Sequence, residues 1–209
     1  MIEFTFGDDP SEQVVALYRR HAHTWASKRA ANHGPMMEQG WLDKFLDLLP
    51  STPAVLDVGC GSGEPIGQYL ISRKCDVTGV DSAPEMIEMC KEQFPTCNWQ
   101  VSDMRSLNLG RTFDSIVAWD SFFHLRADAQ RLMFPIFRAH AKPSATLLFT
   151  SGPNHGEVVG LFENEALYHA SLSGDEYQTL LAQNGFLVTD HVVEDPRCGG
   201  HTVWLAKLA

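Results

Sequence analysis

Ala54-Val55-Leu56-Asp57-Val58-Gly59-Cys60-Gly61-Ser62-Gly63 is the stretch whose reading decides the fold. Its first five residues are an apolar run broken by one acid and bounded upstream by Pro50 and Pro53, the pattern of a buried parallel strand. The run passes straight into glycines at alternate positions, and a helical pattern resumes at Ile66, Tyr69 and Leu70. Strand, glycine turn and helix in that order let a ligand lie against bare backbone at a helix N-terminus.

The crossover then leads to Asp76-Val77-Thr78-Gly79-Val80, a second strand ending in Asp81. An acid at that point is placed to accept both hydroxyls of a ribose. A dinucleotide fingerprint needs G-x-G-x-x-G; here the third glycine arrives one residue early and Glu64 stands in its place, which disfavours a nicotinamide oxidoreductase. On the residues alone, a generic α/β nucleotide site and a purely structural glycine turn stay open.

The run Asp57 to Gly63 together with Asp81 resembles the class I S-adenosylmethionine (SAM)-dependent methyltransferase family. The resemblance implies an α/β fold: a Rossmann-like, seven-stranded, mostly parallel sheet with a C-terminal antiparallel hairpin, helices on both faces and an N-terminal helical lid. It implies that the turn, through Asp57, Gly59, Cys60, Gly61 and Gly63, holds the amino-acid part of SAM, and that Asp81 with Ser82 beside it holds the ribose. It further implies that Asp103 bonds the adenine amino group, with the Met104 backbone alongside.

Composition agrees with a globular chain. At 209 residues, 44% hydrophobic and 20% charged, the chain is expected to be one domain (1–209), with residues 1–50 as the lid and 54–209 as the core. The formal net charge of −10 argues against a broad grip on phosphate backbones, so a nucleic acid partner is not expected. Cys60, Cys75, Cys90, Cys97 and Cys198 have no C-x-x-C spacing and are odd in number, which points to a reducing cytoplasm rather than a disulfide framework. The acidic residues 1–9 lack the basic region and apolar core of a signal peptide, and no apolar run reaches membrane-spanning length. The expectation is a cytoplasmic protein with no membrane partner.

Along the chain, Asp9-Pro10-Ser11-Glu12 reads as a helix start, followed by Val14, Tyr18, Ala22 and Trp25 at helical spacing. A second helix follows the break at Asn32-His33-Gly34-Pro35, with Met37, Trp41, Phe45 and Leu48 on one face. Tyr18 and Trp25 are either lid contacts to cofactor or substrate, or the stripe that packs on the sheet. Ser82-Ala83-Pro84-Glu85 reads as a capping box opening a helix with Met86, Ile87, Cys90 and Phe94 inside; Met86 faces either adenine or the core.

Trp99 to Val101 is a third strand, and Phe113 to Trp119 a fourth that ends in Asp120-Ser121-Phe122-Phe123-His124. Ligands sit beyond the carboxyl ends of such strands, so Trp119, Asp120 and Ser121 form the far lip of the cleft and complete the cofactor contacts. A helix over Asp128–His140 should kink or start late at Pro135. Thr146 to Thr150 is the fifth strand, preceded by Pro143-Ser144-Ala145 where the resembled family commonly has Pro-Gly-Gly. Residues 151–172 carry few regular signals and read as a long functional loop. Ser173-Gly174-Asp175-Glu176 opens a helix that stops at Asn184-Gly185, and Phe186 to Val193 pairs with Thr202 to Lys207 as a closing hairpin.

No signature of a particular methyl acceptor is present: Asp120-Ser121-Phe122-Phe123 stands where an amide or base N-methylase would carry Asn-Pro-Pro-Tyr. His124 is the general-base candidate, since it titrates near neutral pH, or else it caps a helix or bonds a carbonyl. His169 and Tyr168, on the expected roof of the cleft, are the next catalytic candidates, or only braces for that segment. His21 and His23 lie two apart on a helix and point in different directions, so no metal site is expected. The favoured function is SAM-dependent methylation of a small molecule. The alternative is a SAM-binding protein that senses or assembles without methylating.

Overall fold

Buried apolar side chains alternate along the central strands of one mixed sheet, and each set faces a different layer of helices. The computed structural model describes residues 9–31 and 36–209; residues 1–8 and the expected break at 32–35 lie outside them. The strands are β1 (Ala54–Val58), β2 (Asp76–Asp81), β3 (Asn98–Val101), β4 (Phe113–Ala118), β5 (Ala141–Ser151), β6 (Gly156–Phe162), β7 (Glu165–Ser171), β8 (Phe186–Asp195) and β9 (His201–Leu208). The helices are α1 (Pro10–Ala30), α2 (Gln39–Leu46), α3 (Ile66–Ser72), α4 (Pro84–Gln93), α5 (Ala127–His140) and α6 (Gly174–Gln183).

Seven strands make one sheet in the order β3-β2-β1-β4-β5-β9-β8, with β9 antiparallel to both its neighbours. Leu56, Ile116, Phe149 and Trp204 pack with α5 and α6 through Phe134, Phe137 and Tyr177. Val55, Val117, Leu148 and Val203 point the other way, onto Trp41, Leu70 and Ile87 of α2, α3 and α4. This two-sided burial explains why β1 reads as a continuous apolar run rather than an alternating one. Strand order reverses between β1 and β4, so the crevice expected of such sheets opens over their carboxyl ends.

Several local expectations change. Residues 151–172 are no loop: β6 and β7 form a separate two-stranded antiparallel sheet, in register from Gly156↔Ser171 to Phe162↔Glu165. Its turn residues Glu163 and Asn164 have φ of 52° and 63°, the pair of left-handed residues that a tight hairpin demands. Ser82 does not cap α4. Pro84 holds Ala83 extended as the N-cap, which leaves Ser82 one position too early; its hydroxyl donates to the Ser102 carbonyl instead (3.4 Å).

Helix α5 begins at Ala127 and runs on through Pro135, and β5 starts already at Ala141. Met37 and Leu48 flank α2 rather than belonging to it. The caps at Asp9 and Ser173 form as expected, bonding the Ser11 and Glu176 amides at 2.9 and 3.2 Å.

Candidate functional site

A cavity of about 490 Å³ lies beyond the carboxyl ends of β1, β2 and β4, and α1 covers it with Val14, Tyr18 and Trp25. The turn after β1 forms its floor. Gly59 and Gly61 have φ of 77° and 54°, which favour glycine. A Cβ on Gly59 would sit 2.3 Å from Ser121 Cβ, and one on Gly61 would sit 2.9 Å from the Trp25 ring. Gly61 thus makes room for the lid residue as well as for a ligand. Gly63 is elsewhere: it packs on Cys90 of α4 and on Phe94 just past its end, and does not line the cavity.

Asp81 braces this floor. Its Oδ2 accepts the Gly61 amide (3.0 Å) and its Oδ1 the Ala83 amide (2.9 Å), yet burial still pushes its pKa up. Asp57 is more exposed to that penalty. It is buried, its Oδ2 has no hydrogen-bond partner among the described residues, and burial with the nearby Asp81 charge pushes its pKa up to about 7. A buried carboxyl without a partner, facing a cavity beside bare backbone, fits a ligand that brings an ammonium group. Cys60 lines the floor as well, and burial raises its thiol pKa well above the usual value.

At the β2–β3 end stand Ser82, Met86, Asp103 and Met104. The Asp103 carboxylate is gripped by the Arg105 guanidinium (2.6 Å), which wins over burial and holds its pKa low. Arg105 also reaches Asp9 (2.6 Å) and Glu12 (2.7 Å), so it ties the start of α1 to this rim. Neither link is evident from the spacing of the sequence.

The far lip carries Trp119, Asp120 and Ser121, all lining the cavity. Ser121 Oγ donates to the Val58 carbonyl (2.7 Å) and joins the ends of β4 and β1. His124 Nδ1 lies 2.8 Å from the Tyr168 carbonyl, an oxygen that only accepts, so Nδ1 carries the proton in the neutral ring. Nε2 then accepts from the Tyr18 hydroxyl (3.2 Å). Burial pulls the His124 pKa down to about 4, against the opposing Tyr168 bond. His124 is therefore a neutral tether between α1, β4 and β7, with both nitrogens engaged.

His169 lines the cavity and packs on the His124 ring at 4.8 Å; burial lowers its pKa. Tyr168, its strand neighbour, faces the opposite way into a cluster with Val14 and Ala170. Its hydroxyl is raised in pKa by burial and by Glu157, and the side chain does not line the cavity. His201 does, and nothing in the local sequence singled it out.

Residues 55–144 match the family model of a methyltransferase domain. Magnesium-protoporphyrin O-methyltransferase of Rhodobacter capsulatus is 32% identical over 105 residues, 47% of this chain and 45% of that protein. An O-methyltransferase of Aspergillus nomiae is 26% identical over 146 residues, 65% of each chain. The chain spans less than two thirds of the length of each of these relatives. Among solved structures, a SAM-bound amino pentose methyltransferase from Micromonospora echinaspora superposes with a TM-score of 0.72 at 17% identity, covering 100% of both chains. The fold is that of the class I SAM-dependent methyltransferases. The part that matches the methyltransferase-domain model is its central segment, from β1 into β5.

Proposed function

We propose that this chain binds SAM in the cavity under α1 and transfers its methyl group to a small molecule. The observation that carries the reading is the partnerless Asp57 carboxyl set beside the Gly59–Gly61 floor and the Asp81 brace. Asp57 would pair with the ammonium of the amino-acid part, Asp81 with the ribose, and Met86, Asp103 and Met104 would surround the base. Trp25 would close over the turn. Bound there, SAM supplies an activated methyl group on a sulfonium.

The chain's own part is alignment and exclusion of water, and the tethered α1 serves both. An enclosed cavity suits a small acceptor better than a polymer, and the net charge of −10 points the same way. The named relatives include a porphyrin O-methyltransferase, which supports a small-molecule acceptor. No helix among the described residues is long and apolar enough to cross a membrane. We place the protein in the cytoplasm, as one domain with α1 as its lid.

One observation favours the non-methylating reading: the histidine expected to act as base, His124, has no free nitrogen. Calorimetry followed by a methyl-transfer screen separates the two. The protein should bind SAM or S-adenosylhomocysteine with at least micromolar affinity and NAD negligibly. Asp81→Ala should weaken binding by about 1.5–3 kcal/mol, the scale of hydrogen bonds to a charged group. Unchanged affinity in that variant would mean that the ribose is held elsewhere.

A further inference from the structure

Asp120, expected from the sequence as a cofactor contact, stands on the β4 side of the cavity, across β1 from the end of β2. On the methyltransferase reading, the ribose lies at the end of β2 and the amino-acid part over the turn after β1. The rest of the cavity runs towards β4, β5 and β9, where Asp120, Ser151, His169 and His201 line it. This is the side left for the methyl acceptor.

The carboxylate there is built in with care. Asp120 has φ of 46°, a backbone state uncommon outside glycine, and its amide donates to Thr150 Oγ1 (2.8 Å). That hydroxyl donates back to Asp120 Oδ1 (3.2 Å). His201 Nε2 stands 3.1 Å from Oδ2, while His201 Nδ1 is 2.6 Å from the Cys198 carbonyl. Both nitrogens face groups that accept, so the ring is held as a double donor; the Asp120 bond raises its pKa against burial. The ring also packs on Trp119, with centroids 5.6 Å apart.

His201 has therefore no lone pair to offer a ligand, and neither has His124. Asp120 does: an ionised carboxylate has about four acceptor sites, and Thr150 and His201 occupy only part of them. We propose that Asp120 is the acceptor-binding residue of this site, taking a hydrogen bond from the O–H or N–H of the nucleophile, with His201 as its positioning residue. The acceptor class that follows is an amine, an alcohol or a phenol. A carboxylate would meet Asp120 with like charge and no proton to donate.

The test uses the full chain and three variants. Asp120→Asn keeps a side chain that tolerates the left-handed backbone but removes the charge. His201→Gln keeps a donor towards Asp120, and His201→Leu removes it. S-adenosylhomocysteine should bind all of them within about threefold of the parent if Asp120 serves the acceptor and not the cofactor, because Asp57, Asp81 and the glycine floor are unchanged. Imidazole NMR should show the His201 pKa above its ordinary value, and Asp120→Asn should bring it down.

In a transfer screen over aliphatic amines, phenols and carboxylic acids, only the first two should be methylated. Asp120→Asn should cut kcat/KM about tenfold or more, and His201→Gln should retain what His201→Leu loses. A tenfold loss of S-adenosylhomocysteine affinity in Asp120→Asn would overturn the proposal by moving Asp120 to the cofactor. Methylation of a carboxylic acid would overturn it too. Failure of the parent to bind S-adenosylhomocysteine would instead remove the methyltransferase reading on which it rests.

Discussion

Asp57→Asn is expected to make the unliganded protein more stable at neutral pH while removing most of its affinity for SAM. Burial and the Asp81 charge push the Asp57 pKa up to about 7 from an ordinary 3.8. Between those values the folded state holds a proton that the unfolded chain has released. The stability this group contributes is thus fully present below about pH 3.8 and lost as pH rises through about 7. The full swing is on the order of 4 kcal/mol by linkage, and an amide in the same place has no such term.

The buried amide leaves its own N–H unpaired at a cost of about 1–3 kcal/mol, so a net gain on the order of 2 kcal/mol at about pH 8 is expected. Urea unfolding of both proteins from about pH 4 to about pH 8 measures it: the curves should diverge as pH rises. Parallel curves would mean that Asp57 is ionised without penalty. Binding has the opposite sign. An ammonium ligand needs the carboxylate, so parent affinity should fall about tenfold per pH unit below about 7, and Asp57→Asn should lose both the affinity and its slope. Stability given up in the free protein is then part of what the ligand recovers.

The residues that make this argument were legible because they act locally. A five-residue apolar run, glycines at left-handed positions and an acid at the next strand end are all properties of a short window. The β6–β7 hairpin was not legible for two physical reasons. Its turn is Glu163-Asn164 rather than the Asn-Gly that such turns favour, and β6 presents Val158, Val159 and Leu161 to solvent, which erases the alternation that marks a strand.

Tyr168 and His169 looked equivalent until strand pairing sent one to α1 and the other to the cavity. The Asp120–His201 pair spans 81 positions and exists only because β9 inserts beside β5. The Arg105 bridge to α1 spans 96 positions to Asp9 and is equally beyond any local pattern. On the proposed reading, the cofactor residues lie in adjacent strands and turns, whereas the acceptor residues are brought together by the last strands and the lid.

A two-stranded sheet is marginal in water, and β6–β7 leans on α1, through Val14 against Tyr168 and Ala170, and on the segment after β4, through the His124 and Gln130 hydrogen bonds to the Tyr168 and Ala170 carbonyls. Ion pairs of Arg20 with Glu165 and of Lys28 with Glu163, and the His21–Glu165 hydrogen bond, add to this support but are partly exposed and weak. Val14→Asp would bury an unpaired charge in this cluster at a cost of several kcal/mol, more than a hairpin of this size can hold. The expected result is local unfolding: amides of 156–171 lose their protection in hydrogen exchange, while β1, β4 and β5 keep theirs.

Deletion of the chain through residue 31 should do the same, leaving the seven-stranded core folded. With the hairpin gone His124 loses the Tyr168 carbonyl and the burial that lowers its pKa, so it should titrate near its ordinary 6.5 rather than at about 4. His169 leaves the cavity wall at the same time. SAM binding should weaken but persist, because Asp57, Asp81 and the glycine turn stay in place, whereas single-turnover methylation should vanish. Intact hairpin protection in Val14→Asp would show that β6–β7 stands without α1, and the coupling of lid to acceptor wall would then fall.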